Sequence, residues 1–383
     1  MEDIIMLNII VDGKELKEII EKASAAMLKK VAVPTLGWVV LKAEGGKLSA
    51  SVTSIEAWLE VNTDYFTCLS NGEIAIDKED LKVITRMTGD VNIIETDENI
   101  IVKNGKKTIT LCRYDVSDYP KLESEENAKK LKYTESELLE TLNNLSVFCT
   151  DNENNKIMQC INFNLKDSRI EALDGYRIGL KRIEDMEKLC NDGSVMLHVM
   201  AAKDLKKALD KKSNNVITIA EGEKYIVITG KSFTYYQRKI KGEYYRVGQM
   251  LNNDFSFSFK AGVTETLVHF KYYTDNVIAK ADRKLIILKI GNDKIITYGG
   301  NTRFETSDEL KIADFSGKEL TIGFNPYFLV DALKIADSDN VRIGGNNCKT
   351  PIMIEADKYS FLVLPVNIET DTMENYLNKV NAA

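Results

Sequence analysis

Leu320-Thr321-Ile322-Gly323-Phe324-Asn325, continued through Leu329 to Val341, holds the unit from which the chain is built. It reads as a short strand, a helix over Asn325–Ala336 with Leu329 on its buried side, and a new strand opened by Val341. The same layout stands twice earlier. Glu73–Ile76 leads into a helix over Lys78–Met87, and Val195–Met200 into one over Ala201–Lys212. Leu81, Leu205 and Leu329 hold one helical slot at intervals of 124 residues, and Val91, Val216 and Val341 follow at intervals of 125. Agreement at several linked positions marks an internal repeat.

Each unit then closes a hairpin. Asn104-Gly105 joins Ile100–Lys103 to Thr108–Leu111 and predicts a type I′ turn. Glu221-Gly222-Glu223 and Gly344-Gly345-Asn346-Asn347 take the corresponding places. A second series fills the other half of the period. Leu7–Val11 precedes a helix over Lys14–Leu28, Leu131–Tyr133 one over Ser136–Phe148, and Phe255–Phe259 one over Val263–Tyr273. Leu16, Ile19, Ile20 and Ala23 form an amphipathic stripe, as do Leu138, Leu139, Leu142 and Leu145. The expectation is an α+β protein of three similar domains, each with two helices and antiparallel sheets. The boundaries read 1–127, 128–252 and 253–370, with an extension at 371–383; charged linkers run over Asp118–Lys130 and Lys241–Asn253.

Composition agrees and excludes other classes. The 383 residues are 44% apolar and 28% charged with net charge −7, so neither wholesale disorder nor a generally basic nucleic-acid binder fits. No apolar run is long enough to span a membrane, and Met1-Glu2-Asp3 does not open a signal peptide. A cytoplasmic protein is expected. Six dispersed cysteines read as free thiols, most of them core fillers, with no metal or cofactor implied. His198, in an apolar run, reads as a core or strand-edge residue. Gly230-Lys231-Ser232 ends like a phosphate loop, but Tyr225 stands where the first glycine is needed. No catalytic motif asks for an enzyme.

On that period, six motifs resemble those of the bacterial DNA polymerase III beta subunits, the sliding clamps. They are Pro34-Thr35-Leu36-Gly37, Thr53-Ser54-Ile55-Glu56, Ala172-Leu173-Asp174-Gly175-Tyr176-Arg177-Ile178, Tyr244-Tyr245-Arg246-Val247, Ile322-Gly323-Phe324-Asn325 and Leu362-Val363-Leu364-Pro365-Val366. The resemblance implies the DNA-clamp fold, closed head to tail as a homodimeric ring around duplex DNA without base readout. Such a ring tethers the replicative polymerase, the clamp loader and other proteins, as a processivity subunit with no active site of its own. A divergent clamp-like scaffold that binds peptides and rarely encircles DNA is the alternative.

The resemblance also implies residues. A peptide-binding pocket between domains two and three would use Met158, Leu173, Gly175, Tyr176, Arg177, Ile178, Arg246, Val247, Asn325, Phe328, Leu362, Val363, Leu364, Pro365 and Val366. The dimer interface would join Lys106, Lys107, Ile109 and Leu111 to Tyr272, Tyr273, Glu305, Asp308 and Glu309. Phosphate contacts would come from Lys30, Lys82, Arg86, Lys203, Lys207 and Lys211. The candidate lining helices are uneven: net +3 over 201–212, +2 over 14–30 and +1 over 78–87, but −3 over 135–148 and −1 over 325–337. Tyr176 replaces the family's common histidine and Gly242 a frequent proline, while Lys349 stands where an apolar residue is common. Residues 1–5 and the tail after Ile368 are additional to the pattern. Met373, Tyr376, Leu377 and Val380 in the tail have helical spacing, and the tail is expected near the pocket mouth.

Overall fold

A computed structural model describes residues 6–368 except 31, 124, 185, 252, 253 and 282, and of Lys280 only the backbone. The expectations for residues 1–5 and for the tail lie outside the described residues. Six α-helices are present among them: α1 Gly13–Ala23, α2 Lys78–Ile84, α3 Glu135–Ser146, α4 Met200–Asp204, α5 Val263–Tyr272 and α6 Pro326–Ile335. None is long and apolar enough to cross a membrane.

Local chemistry starts these helices. Asp12, Asp77 and Asn325 each cap one, accepting from the backbone N–H of Lys14 (2.9 Å), Glu79 (2.9 Å) and Tyr327 (3.2 Å). At α3 Thr134 and Glu137 form a reciprocal capping box: the Glu137 N–H donates to Thr134 Oγ1 and the Thr134 N–H to Glu137 Oε2, both at 3.3 Å. α1 buries Leu16, Ile19, Ile20 and Ala23 as its stripe demands.

The repeat reappears as register. Strand Asn8–Asp12 pairs with Asp90–Glu95, Ala128–Thr134 with Val216–Glu221, and Phe257–Gly262 with Asn340–Gly345. In these pairs Val91 faces Val11 and Val341 faces Ala261, both buried. Val216, however, faces Thr134 one residue later and is exposed, so Ile217, opposite Tyr133, takes the equivalent place, a correction to the expected spacing. Leu81, Leu205 and Leu329 are all buried.

The chain divides into two compact units, residues 1–143 with 185–241 and residues 144–184 with 242–383, the boundary cutting α3 near its end. The first unit holds two antiparallel sheets. One runs Phe66–Ser70, Asn8–Asp12, Asp90–Glu95, Asn99–Asn104, Lys107–Cys112. The other runs Glu187–Lys188, Ala128–Thr134, Val216–Glu221, Tyr225–Thr229, Phe233–Arg238, Ala57–Thr63, Lys47–Thr53, Trp38–Glu44, Gly72–Asp77. Phe233–Arg238 pairs directly with Ala57–Thr63, so strands of the second repeat continue the sheet of the first. In the second unit eight strands run Cys160–Asn164, Arg169–Leu173, Arg177–Arg182, Tyr359–Val363, Ile352–Glu355, Asn340–Gly345, Phe257–Gly262, Ala313–Ser316. Its other sheet runs Glu305–Lys311, Lys294–Gly300, Ile286–Ile290, Leu320–Phe324.

Several expectations need correction. The helix expected over Ala201–Lys212 stops after Asp204. Looser turns replace it, such as Lys206 N–H to Lys203 O at 3.4 Å, and Glu135 captures the Asp210 N–H at 3.2 Å. The helix over Lys14–Leu28 ends at Ala23 and passes through a tighter turn, Ser24–Ala26, to an extended Met27. The Asn104-Gly105 hairpin is not type I′. Asn104 pairs with Lys107, leaving Gly105 (φ +59°) and Lys106 as the turn, and only the first of them is left-handed. That is the glycine-first order of a II′ turn. The Asn104 amide instead donates to the carbonyls of Thr88 (2.9 Å) and Asp90 (3.0 Å). Only Cys160 is buried, its thiol pushed up to about 12 by desolvation, whereas Cys68, Cys112 and Cys348 are exposed.

Both charged linkers are anchored. Tyr119 packs on the Trp38–Val40–Ala75 cluster, where burial drives its phenol pKa upward. Glu125 accepts from the N–H groups of Lys224 and Tyr225, both at 2.9 Å. In the second unit the Tyr244 hydroxyl donates to Cys160 O at 3.3 Å.

Candidate functional site

The residues expected to form the peptide pocket all fall in the second unit, so the candidate pocket lies within one compact body. Its base is the sheet face carrying Leu173, Ile178, Leu180, Met353 and Leu362, closed by Val247, with Met158, Tyr244, Tyr245, Leu251 and Phe255 half-buried around it. Strand pairing dictates this grouping. Ile178 faces Leu362 across the sheet, so both side chains emerge on the same side. One residue along, Arg177 faces Val363 on the other side. Val363 is fully buried there and belongs to the core, a correction to its expected place in the pocket.

The Asp174-Gly175-Tyr176-Arg177 turn sets the rim. Asp174 Oδ1 accepts from the N–H groups of Tyr176 (2.9 Å) and Arg177 (3.0 Å), and Gly175 takes φ +90°, where a side chain would be strained. Tyr176 is thereby held 64% exposed, stacked on Phe328 with ring centroids 6.2 Å apart. The Arg177 guanidinium donates to Asp174 Oδ2 (2.9 Å), Asp331 Oδ2 (2.7 Å) and Val147 O (2.7 Å), and lies 4.5 Å from the Phe328 ring centre. Arg177 therefore shapes the rim from beneath. Asn325 caps α6, and so positions Phe328 on that helix. Leu364, Pro365 and Val366 are half-buried along the exit of the last strand, and Arg246 is exposed.

The same apolar face continues past the expected pocket. Leu180, Leu251 and Met353 also line a hollow of about 410 Å³ walled by Arg169, Lys181, Arg182 and Glu355. Leu180, Met353, Tyr244, Tyr245, Leu251 and Phe255 were missed by sequence reasoning. Their one sequence signal was the pair of tyrosines beside Arg246.

Two sheet edges carry the residues expected at the dimer interface. Lys107–Cys112 is an edge strand of the first unit, with Lys106 and Lys107 exposed, Ile109 half-buried and Leu111 turned into the core. Glu305–Lys311 is an edge strand of the second unit, with Glu305, Asp308 and Glu309 exposed. Lys294 pairs with Glu309 at 2.7 Å, and Asp308 lies 3.4 Å from His269 Nδ1. Desolvation lowers the His269 pKa despite that carboxylate. Tyr272 is exposed, but Tyr273 is fully buried and donates its hydroxyl to Thr297 O at 2.8 Å. Tyr273 is a core residue because α5 turns it inward, which corrects its expected place at an interface.

Lys30, Lys82, Arg86, Lys203, Lys207 and Lys211 are all exposed and all lie in the first unit. Lys82 is paired with Glu79 at 2.9 Å. Lys207 shares a shallow hollow with Lys14, Lys17, Lys22, Glu18 and Glu21 of α1, a net positive patch.

The family model for the DNA polymerase III beta subunit, C-terminal domain, matches residues 272–367. The beta sliding clamp of Rickettsia felis is 22% identical over 95% of this chain and 100% of its own. Residues 272–367 thus carry the C-terminal domain of the DNA polymerase III beta subunit family. Solved clamp structures share this chain's fold. The Bacillus subtilis DNA polymerase sliding clamp has a TM-score of 0.88 at 18% identity, covering 95% of this chain and 100% of that one. The Pseudomonas aeruginosa sliding clamp bound to griselimycin has a TM-score of 0.86 at 18% identity, with the same coverage.

Proposed function

We propose that this beta-family chain works as a sliding clamp: two copies close head to tail around duplex DNA, and partner proteins insert short peptides into the Leu173–Ile178–Leu362 pocket. The observation that carries the reading is the opposite charge of two sheet edges, one in each unit. An unpaired strand edge is a hazard unless something covers it. Here one edge is flanked by Lys106 and Lys107 and the other by Glu305, Asp308 and Glu309. Antiparallel pairing of the first edge with the second edge of another copy would satisfy both backbones and both charges. Two such contacts would close a ring, and tethering through a ring needs topology and a high effective concentration, not chemistry.

The exposed lysines of the first unit support contact with phosphate alone, so affinity for open DNA should be weak and fall steeply with salt. The pocket's apolar base and aromatic rim suit a peptide with large apolar anchors. Proteins carrying such peptides would include the replicative polymerase and the clamp loader. α3, with three glutamates and no lysine or arginine, favours the second reading, a scaffold that seldom encircles DNA.

Solution scattering with in-line mass measurement should give about 86 kDa, twice the 43.2 kDa chain, and a hollow distance distribution. The Lys106→Glu, Lys107→Glu double variant should raise the dimer dissociation constant at least tenfold. Protein loaded on nicked circular DNA should stay bound and be released on linearisation. A 43.2 kDa particle at micromolar concentration, unchanged by the double variant, would reject ring closure. A dimer equally retained on both DNAs would reject encirclement and leave the scaffold.

A further inference from the structure

The sheet containing Glu305–Lys311 has a second face that the proposed function does not use. Thr297 meets His269 of α5 at 2.8 Å, so Tyr298, the next residue of the strand, stands on the face turned away from α5. On that face Tyr298, Leu285 and Ile287, together with Arg283, Asn301 and Glu305, line a groove of about 360 Å³. That is more than twice the roughly 150 Å³ in which an apolar cavity binds benzene, so it has room for two large side chains.

The chain's own path leads to it. Beside the pocket, the Leu364 N–H donates to Tyr176 O at 2.9 Å. Two residues later the Val366 N–H donates to Gly323 O at 2.8 Å, and Asn367 O then accepts from Arg283 Nη2 at 2.5 Å. Ile368 and Leu285 meet over Gly323; a Cβ there would lie 2.9 Å from a carbon of each. The backbone thus travels from the pocket to the rim of the groove.

Residues 369–383, which follow, supply matching chemistry. In sequence Glu369 and Asp371 come first, with charge opposite in sign to that of Arg283, and Met373, Tyr376, Leu377 and Val380 come next. Fifteen residues reach about 22 Å even at the short helical rise, enough to cover the groove.

We propose that residues 369–383 dock back into this groove on their own chain, with Tyr376 and Leu377 as anchors and the acidic start held by Arg283. Tethering gives the segment a millimolar effective concentration there, so modest intrinsic affinity suffices. Glu305 belongs to both the groove and the exposed edge, so the docked segment would border that edge.

The test is photo-cross-linking of the full chain with benzoylphenylalanine in place of Tyr376 and, separately, of Leu377, mapped by mass spectrometry. Cross-links within one chain to 283–287 and 298–302, reduced at least fivefold by Arg283→Glu, are expected. Cross-links to 158–178 or 362–366 would put the segment in the pocket and overturn the inference. Cross-links between copies, detected by mixing isotopically labelled and unlabelled chains, would overturn it too, as would none at either position.

Discussion

Replacing Arg177 by alanine is expected to destabilise the second unit by about 3–5 kcal/mol, the range for breaking a buried ion pair from one side. Its side chain is 10% exposed, and the guanidinium donates to two carboxylates and a backbone carbonyl. Asp174 and Asp331 would each lose their buried cation. The contacts with the rings of Phe148 (5.2 Å) and Phe328 (4.5 Å) would vanish as well. Arg177→Lys should recover less than half, because one ammonium cannot span three acceptors in a planar fork. Urea unfolding of the full chain can separate the effect. Both tryptophans, Trp38 and Trp58, report on the first unit, while far-UV circular dichroism reports on both. The dichroism transition should shift more than the fluorescence transition. A loss below about 1 kcal/mol would mean that the network is dispensable.

Asp204→Asn should act in the opposite direction and depend on pH. Asp204 lies beneath the segment bearing Lys203 and Lys207, 1% exposed. Its Oδ2 accepts from the Tyr235 hydroxyl at 3.1 Å, and Oδ1 has no hydrogen-bond partner among the described residues. Desolvation pushes the carboxyl up to about 6, with Tyr235 and Lys203 opposing it. Below pH about 4 the group is neutral in both folded and unfolded chains. Between about 4 and 6 the unfolded chain releases the proton while the folded one keeps it, so stability falls as pH rises through that window. The loss is complete above about 7 and amounts to roughly 3 kcal/mol. The asparagine variant keeps an acceptor for Tyr235 without a charge. It should gain about 1–3 kcal/mol at pH 7.5 and little at pH 4. Urea midpoints by tryptophan fluorescence at the two pH values would decide. An equal or negative effect at pH 7.5 would show that the folded site tolerates the charge.

Much of this architecture is local and therefore legible along the chain. Asp12 and Asp77 start their helices through their own side chains. Leu81, Leu205 and Leu329 need only helical spacing to find the core, and Val91 and Val341 take equivalent buried register; in the middle repeat Ile217, not Val216, holds that place. The Asp174–Arg177 turn is built by residues within three positions of one another.

What escaped sequence reading depends on partners far along the chain. Val363 looked like its neighbour Leu362, but pairing with Arg177–Arg182 sends the two to opposite faces. Tyr273 looked like Tyr272 until Thr297, twenty-four residues away, offered a carbonyl to its hydroxyl. α4 was extended too far because Glu135 claims the Asp210 N–H from seventy-five residues away. The linkers looked solvated because Tyr119 and Tyr244 are single aromatic rings among charges, and only the clusters that receive them make them structural. The repeat, the helix starts and the Asp174–Arg177 turn can be read along the chain, because they rest on spacing and short-range hydrogen bonds. The face each strand residue takes, the strands that stand at sheet edges and the extent of the apolar cluster around Leu173, Ile178 and Leu362 emerge only in the folded chain, because burial is settled by the partner across the sheet.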